Sequence, residues 1–458
     1  MTPLLAAKAA VGTAVGMVGD TDLTAHGIGG QKDLPIPLNL AIAGGIAALV
    51  ISFTVLAVAW RTPRYDEDGA GRPAPRLLAG IVASPAFGIV LRAFGMVVFV
   101  FTIACAIFGR DSTINPVFGI FFIWLWIGVP VMSVLFGPFW RAISPVRTIN
   151  QLFAKVAGSD PDEGLYRYPE RLGYWPATLG LLAFVWFELV YPHNSQLAPL
   201  RLWCAVYVGI MLIGGALFGN RFYERADPFE VYSSLTAKLS IWGVKAGRLV
   251  VRSPLANLAT VSAAPGLIGV TGVLFGSTGF DSFGDSTRWV TFVQGSDING
   301  QILKNVGLVV FCLVAIGVFT LGSMLTAVGP ERSRRTLPDA FAHSLVPIIT
   351  GYIIAHYLTL LVEIGTRTLI QASDPFSRGW NILGTANWSE PTWISYHPTL
   401  LATVKVLAVV IGHVLAAVAA HDRAIRLLPA RAHLTGQLPL LAAMVGFTGG
   451  GLYLLFAA

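Results

Sequence analysis

Long uninterrupted apolar runs constrain this sequence more than any other feature. Such runs recur from one end of the chain to the other, and a helix of about 20 residues is long enough to cross a hydrocarbon layer of roughly 30 Å. Only 12% of the residues are charged, about half of what a soluble domain carries. Because lipid offers backbone groups no hydrogen-bond partner, these runs should fold as helices. The sequence therefore predicts an all-α, polytopic transmembrane bundle.

We expect ten spans and no separate soluble domain. The predicted spans are residues 37–60, 85–108, 116–139, 173–193, 199–218, 261–279, 301–327, 339–370, 398–420 and 436–457. Residues 1–25 contain one lysine and an Ala/Val/Gly stretch, which is typical of a weak signal peptide. If this segment is retained, it forms an eleventh helix or an N-terminal tail. Residues 26–458 then form a single membrane domain.

The distribution of basic residues predicts the orientation of the bundle. Twenty-one Lys and Arg lie in one alternate set of loops, namely 61–84, 140–172, 219–260, 328–338 and 421–435, whereas the other set holds five. By the positive-inside rule the first set is cytoplasmic, so both ends of the ten-helix body face outward. The basic residues are spread over loops rather than gathered into a stripe. The net charge of +7 thus favours contact with a lipid bilayer over nucleic acid binding.

Some loops have a recognisable character. Residues 137–158 and 221–243 interleave aromatic and basic side chains, which favours helices lying in the membrane interface. The outer loop 372–393 is long enough to fold over the bundle as a lid. We find no tandem repeat and no inverted-repeat symmetry in the sequence.

Histidines inside the last long spans are candidate cofactor ligands, because ionisable groups in a bilayer are costly and are by default functional. His356 and His413 lie 14 and 15 residues from the outer ends of two antiparallel helices, and therefore at similar depth. His343 and His421 form a second level. These four imidazoles could ligate haem b. The alternative is that each imidazole hydrogen-bonds a neighbouring helix.

A proline in the same helix suggests a cavity. Pro347 follows His343 by four residues, so its ring opposes the His343 carbonyl and should kink the helix. Gly351 adds compliance one turn later. A helix that is interrupted at membrane depth usually faces protein or a water-filled cavity rather than lipid.

A second polar group belongs to the outer face. Glu188, His193 and Asp281 are candidate catalytic residues, and the candidate metal ligands are His26, His193, His356 and Asp374. Carboxylates and imidazoles at one level could bind a divalent metal and lower the pKa of its water. Cleavage after residue 25 would leave His26 as a free N-terminus, able to bind copper. The sequence has no HExxH, HxH or CxxC framework, so interfacial solvation is the alternative explanation.

Several stretches resemble a family of bacterial integral membrane proteins. They are "AHGIGGQKDLPIP" (25–37), "FVWFELVYPHNSQ" (184–196), "GSTGFDSF" (276–283), "AHSLVPIITGYIIAHY" (342–357), "ASDPFSRGWNILGTANW" (372–388) and "GHVLAAVAAHDRA" (412–424). The family is identified as fenitrothion hydrolase-like, meaning an organophosphate hydrolase of the inner membrane. The resemblance implies that an apolar phosphotriester enters from the bilayer and is attacked by metal-bound hydroxide. Glu188, His193, Asp281 and His356 would then be ligands or bases.

Two other functions stay open. One is a haem b- or copper-binding redox or metal-handling protein that uses the buried histidines. The other is a small-molecule transporter that works around Glu363, Lys405 and the kinked eighth helix. The HxH motif of soluble phosphotriesterases is missing from this sequence, so the hydrolase reading depends on the resemblance.

Overall fold

The computed structural model describes residues 30–65, 71–329, 333–433 and 435–457. The predicted signal peptide or tail and His26 lie outside these residues. The first helices are α1 Leu38–Ala59, α2 Arg76–Ala83, α3 Pro85–Phe108, α4 Pro116–Phe136, α5 Phe139–Ile143, α6 Pro145–Ala157, α7 Trp175–Leu189, α8 Leu197–Phe218 and α9 Asn220–Ala226. The others are α10 Pro228–Thr236, α11 Pro254–Ala259, α12 Leu267–Gly284, α13 Thr287–Gly295, α14 Gly300–Met324, α15 Leu337–Phe341, α16 Leu345–Ser373, α17 Pro398–Leu427 and α18 Leu438–Ala457.

Among the residues that the structure describes, eight helical stretches are long and apolar enough to cross a membrane, which supports a multi-pass membrane protein. They are Leu38–Ala59, Pro85–Phe108, Pro116–Phe136, Leu197–Phe218, Gly300–Met324, Arg334–Ser373, Pro398–Leu427 and Thr435–Phe456. The other two of the ten predicted spans correspond to α7, of 15 residues, and α12, of 18 residues. Most of α12 is buried inside the bundle. A helix enclosed by other helices does not need a fully apolar surface.

Polar residues followed by proline begin several helices. Ser84 accepts a hydrogen bond from the backbone of Phe87, and Asn115 accepts one from Val117, with distances of 3.2 and 3.1 Å. A side-chain oxygen at this position satisfies one of the free amides of the first turn. Proline at the first helical position loses nothing, because that amide has no partner within the helix. The same signal recurs at Ser144 and Asp227.

The third span is not a regular α-helix. Residues Gly119–Gly128 of α4 are wound as a π-helix of ten residues. Such segments are rare and are frequently found at functional sites.

Helices α16 and α17 cross closely at two glycines. A methyl group on Gly351 would lie 2.4 Å from the carbonyl oxygen of Ala408, and one on Gly412 would lie 2.6 Å from that of Pro347. The expected kink at Pro347 takes another form. α15 ends at Phe341, residues 342–344 form a 3-10 turn, and Pro347 lies in the first turn of α16. The break therefore precedes the proline, whose missing amide leaves the His343 carbonyl without its helical partner.

The basic loops meet at one end of the bundle, which we call the basic end. Strand β1 (Arg72–Pro73) pairs with β3 (Arg248–Val251), which also pairs with β2 (Trp242–Lys245), in a small antiparallel sheet. Asp422 accepts hydrogen bonds from the backbone of Arg64 and Tyr65. In the part of the chain that the structure describes, the bundle is thus helical apart from one three-stranded sheet, which the all-α expectation did not include.

Two further pairs of short helices lie at the basic end. α5 and α6 follow the third span, and α9 and α10 follow the span α8. α6 exposes Leu152, Phe153 and Val156, as expected of an interfacial helix. α10 does not, because all but one of its residues are buried. The interfacial prediction is therefore wrong for α10, which is enclosed by α4, α5 and α7.

Buried charges attach α10 to its surroundings. The Arg147 guanidinium donates two hydrogen bonds to the Glu230 carboxylate, at 2.7 and 3.0 Å. Asp227, at the start of α10, accepts from the Trp140 indole and the Tyr207 hydroxyl, both at 3.0 Å. Burial, and secondarily the charge of Glu230, raises the pKa of Asp227 to about 7, although its hydrogen bonds oppose the shift.

We predict that Gly412→Ala destabilises the protein by about 1–3 kcal/mol, because the added methyl group forces α16 and α17 apart. The loss is measured as a lowered thermal unfolding midpoint in detergent. Gly446→Ala is the matched control, since Gly446 lies in a helix and has open space beside its Cα. Equal midpoints for the two variants would show that the close crossing is not needed.

We also predict a pH effect from Asp227. Its pKa is about 7 in the folded protein against 3.8 for the free side chain, so the folded state holds this proton more tightly than the unfolded state. Stability from this group is therefore complete below about pH 4 and is lost as the pH rises through 7, by about 4 kcal/mol at most.

Thermal midpoints between pH 5 and 8 measure this contribution. Asp227→Asn keeps the helix cap and cannot ionise, so its midpoint should fall less than that of the wild type across the range. Parallel pH profiles for the two proteins would contradict the assignment.

Candidate functional site

Three helices bring the buried polar residues together. Asp281 and Ser282 lie near the end of α12, Tyr352 and His356 lie one turn apart on α16, and Glu188 is the penultimate residue of α7. Small residues allow the close packing of α12, because a methyl group on Gly276 would lie 2.5 Å from the backbone of Cys312 on α14. The site therefore sits where α7, α12 and α16 meet.

An Asp–His contact is the centre of the site. His356 Nε2 lies 3.0 Å from Asp281 Oδ2, and the Tyr357 hydroxyl donates to the same oxygen at 2.6 Å. His356 is 8% exposed and the Asp281 side chain 15%. Protein groups therefore surround this imidazole and keep it out of contact with acyl chains, which is the condition for burying it in a membrane.

The other ring nitrogen continues the chain of hydrogen bonds. His356 Nδ1 lies 3.3 Å from Ser282 Oγ, and the Tyr352 hydroxyl donates to Ser282 at 2.8 Å. An ionised carboxylate only accepts, so we assign the ring hydrogen to Nε2 and the acceptor role to Nδ1. Tyr352 then donates to Ser282, Ser282 donates to His356, and His356 donates to Asp281.

Glu188 is the unusual member of the site. Its Oε2 is buried and has no hydrogen-bond partner among the residues that the structure describes. It lies near enough to Asp281 and Tyr232 for their charges to interact. The Tyr232 hydroxyl, on α10, is likewise buried without a partner within the described ranges. Two such groups side by side usually indicate space for a water or a small polar ligand.

We call the residues of this site the acid–base cluster. Its members are Glu188, Tyr232, Asp281, Ser282, Tyr352, His356 and Tyr357. Aromatic rings enclose it on the side of the third span, where Trp126 packs 5.1 Å from Tyr232 and 4.8 Å from Phe184. Trp126 belongs to the π-helix, so the irregular turn of α4 helps to shape the cluster.

An apolar crevice of about 140 Å³ lies one turn along the same helices. Its lining includes Pro130 and Val134 of α4, Thr236 of α10, and Thr350 and Ile353 of α16. The crevice therefore offers an apolar surface near the cluster, about one helical turn from Tyr232 and His356.

The arrangement supports proton transfer. Carboxylate, imidazole and hydroxyl groups are linked in a row, so a proton taken up at one end can be passed along by exchanging donor and acceptor roles. Histidine and carboxylate chains within membrane helices serve this purpose in pumps and transporters. The two nearby carboxylates of Glu188 and Asp281 repel each other, and a proton or another cation between them relieves the repulsion.

The structure brings together only some of the predicted site residues. Glu188, Asp281 and His356 meet, although the sequence had placed them in two separate groups. His193 lies apart on an exposed turn, where its Nδ1 is 3.3 Å from the Gln196 amide. Asp374 closes a turn by accepting from the amides of Arg378 and Gly379, and these hydrogen bonds lower the pKa of Asp374.

The other buried histidines are bound locally. Nδ1 lies 3.1 Å from the Ala340 carbonyl in His343 and 2.8 Å from the Val409 carbonyl in His413. His421 contacts Gln437 and the Trp60 carbonyl, both at 3.0 Å. The contacts of His343 and His413 are local, to carbonyls three and four residues earlier in the chain, whereas those of His421 join separate segments. Nε2 of His413 is buried and has no hydrogen-bond partner among the residues that the structure describes.

Metal or haem binding finds little support in these positions. Haem ligation by His356 requires a free ring nitrogen, yet both of its nitrogens contact protein groups. Within the described ranges, no three His, Cys, Asp or Glu side chains converge as a metal site. The chemistry that these residues offer is therefore acid–base chemistry.

The expected lid is fastened at the end opposite to the basic end. Arg367 on α16 donates to both oxygens of Glu390, at 2.7 and 2.8 Å. Glu363, one turn earlier, accepts a short hydrogen bond from Ser395. Glu363 thus serves the loop and does not belong to the acid–base cluster.

Four cluster members were not singled out from the sequence as site residues: Tyr232, Ser282, Tyr352 and Tyr357. A signal exists for one of them, Tyr352, because it lies four residues before His356 and shares a helix face with it. Tyr232 has no local signal, because it reaches the site only through the burial of α10. Comparison with protein families, with curated proteins and with solved structures finds no match.

Proposed function

We propose that the protein is a proton-coupled transporter in which Glu188 and Asp281 exchange a proton for a solute. The observation that carries this proposal is the buried Glu188 Oε2, which no described residue satisfies, within electrostatic range of Asp281 and inside a bundle of apolar helices. A proton and a cationic solute relieve the same repulsion, so each can replace the other. Exchange at one shared site couples the two movements.

The surroundings of the cluster suggest the class of solute. A group that competes with a proton for two carboxylates is a cation, and the rings of Trp126, Tyr232 and Tyr357 offer faces for cation–π contacts. The neighbouring crevice is lined by apolar side chains. We therefore propose that the solute is an apolar organic cation or amine that approaches from the bilayer.

The first test uses tetraphenylphosphonium, an apolar cation of fixed charge, with purified protein in weakly buffered detergent. The wild type should bind it saturably and release on the order of one proton per chain, as linkage requires. Glu188→Gln should weaken binding roughly tenfold or more and suppress the proton release. A pH-indicator dye and equilibrium dialysis measure the two quantities.

Glu363→Gln is the matched control, because Glu363 is also a buried glutamate but hydrogen-bonds Ser395 instead of facing the cluster. This variant should behave as the wild type does. Two results would contradict a site shared by the proton and the solute. One is binding without proton release, and the other is an equal loss of binding in Glu188→Gln and Glu363→Gln. Absence of binding by the wild type would reject the proposed solute class.

A second function is favoured by one contact: His356 lies between Asp281 and Ser282, as a general base lies between an orienting acid and a hydroxyl. We propose, as the alternative that the family resemblance implies, hydrolysis of apolar phosphotriesters. His356 Nδ1 would take the proton of the Ser282 hydroxyl while that hydroxyl takes one from water, as the water oxygen attacks phosphorus and the aryloxide leaves. This mechanism requires no bound metal ion.

Release of nitrophenol from a detergent-dispersed aryl phosphotriester tests the alternative. His356→Gln should lower turnover about 100-fold or more, as expected for loss of a general base. Ser282→Ala should also lower turnover, because its hydroxyl passes the proton from water to His356. A chelator should leave turnover unchanged. Lack of turnover by the wild type would reject hydrolysis and leave the transport proposal standing.

A further inference from the structure

Two segments at the basic end have related sequences. Residues 135–155 read LFGPFWRAISPVRTINQLFAK, and residues 217–238 read LFGNRFYERADPFEVYSSLTAK. The shared residues are Leu-Phe-Gly at the start, then Phe, Pro, Leu, Ala and Lys at matching places, with one extra residue after the glycine in the second segment. From Phe139 and Phe222 onward the matching positions differ by 83 in residue number.

The two segments also repeat the same backbone. Each membrane span ends at a glycine in an unusual conformation, with φ 91° and ψ −163° at Gly137 and φ 64° and ψ −161° at Gly219. A short helix follows in each copy. Ser144 and Asp227 then cap a second helix that begins with proline, and their φ and ψ values are similar.

Matching residues of the two segments pair with each other. Arg141 contacts Glu224 at 3.1 Å, and Arg147 forms its double hydrogen bond with Glu230. Each pair joins positions that differ by 83 in residue number. Contact between a residue and its own counterpart occurs where a two-fold axis passes between two copies of a unit.

Contacts away from this axis are reciprocal. Trp140 packs against Phe229 at 5.8 Å, and Tyr223, its counterpart, donates a hydrogen bond to the carbonyl of Val146, the counterpart of Phe229. The helices cross in the same way, since α6 packs on α8 while α10 packs on α4. Each copy therefore places its second helix, which we call its arm, against the span of the other copy.

We propose that residues 135–155 and 217–238 are two copies of one structural unit, and that their exchanged arms form a gate between the acid–base cluster and the basic end. The gating role depends on the proposed transport function, whereas the duplication does not. Both spans end at the basic end, so the axis relating the copies runs across the membrane, as in transporters built from parallel repeats.

The position of α10 supports the gating role. Asp227 and Glu230 lie in its first turn, at the basic end, and Tyr232 lies beside Glu188 in the cluster. Ser233 hydrogen-bonds Ser133 and the backbone of Trp140. Movement of this arm would therefore uncover Glu188 on one side while breaking polar contacts that water can replace on the other.

Exchanging the charges across the axis tests the duplication. Arg147→Glu alone or Glu230→Arg alone leaves like charges buried, and each should lower the thermal midpoint by roughly 5–10 °C. The double exchange should recover most of the loss. The guanidinium at position 230 would meet the Trp140 ring, which matches the Tyr223 ring beside Arg147.

The exchange of Arg367 and Glu390 is the control, because this pair has the same bidentate geometry at positions unrelated by any repeat. Its double variant should recover a smaller share of the loss that its single variants cause. Equal recovery in the two pairs, or no recovery for Arg147 and Glu230, would overturn the assignment of equivalent positions.

Cross-linking tests the gate without a solute and without reliance on the charge variants. The three native cysteines are first replaced by alanine, and Arg141→Cys and Glu224→Cys are introduced together. A short bifunctional thiol reagent then joins the two new thiols. Hydrogen exchange of the α10 amides should slow roughly tenfold after cross-linking. As the control, the same reagent joins Arg367→Cys to Glu390→Cys. This cross-link should leave the hydrogen exchange of the α10 amides unchanged.

Each outcome bears on a separate claim. Unchanged exchange in α10 after joining positions 141 and 224 would show that the arms do not open, and would overturn the gate. Failure of tetraphenylphosphonium binding, with slowed exchange, would reject the proposed solute but keep the gate.

Discussion

The contact between Asp281 and His356 is the interaction on which the rest of the site depends. An imidazole and two carboxylates can remain inside a bundle of apolar helices only if protein groups replace water around them. Ser282, Tyr352 and Tyr357 do this for His356 and Asp281. Glu188 is left with a buried oxygen that the described residues do not satisfy, and this imbalance is why we assign a working role to the site.

Polar contacts close both ends of the bundle around this cluster. At the basic end a buried Arg–Glu pair holds α10, and at the opposite end Arg367 and Glu390 hold the long loop. Ion pairs of this kind add little net stability, because desolvation offsets most of the attraction. They are nevertheless specific in geometry, and water can replace them when they separate. The conformation described here is therefore closed at both ends.

Features that depend on hydrophobicity, such as the long spans, could be predicted from the sequence. Features that depend on tertiary contacts between helices could not. Apolar runs located the long spans, and the cost of buried charge pointed to Glu188, Asp281 and His356. Counting residues from the outer helix ends paired His356 with His413. Such a count treats helices as straight rods and does not tell which helices are neighbours. α10 looked interfacial, since its composition resembles that of α6. The repeat was missed because few residues match and one insertion shifts the register after Gly219.

Opposite charges at matching positions have a consequence for the history of the chain. If both copies carried arginine at the place of Arg147, or both carried glutamate, the two arms would repel each other across their axis. Neither half can therefore pair with a second molecule of itself as well as it pairs with its sibling. Under the proposed duplication, this divergence makes the two halves complementary, so each needs the other to neutralise its buried charge.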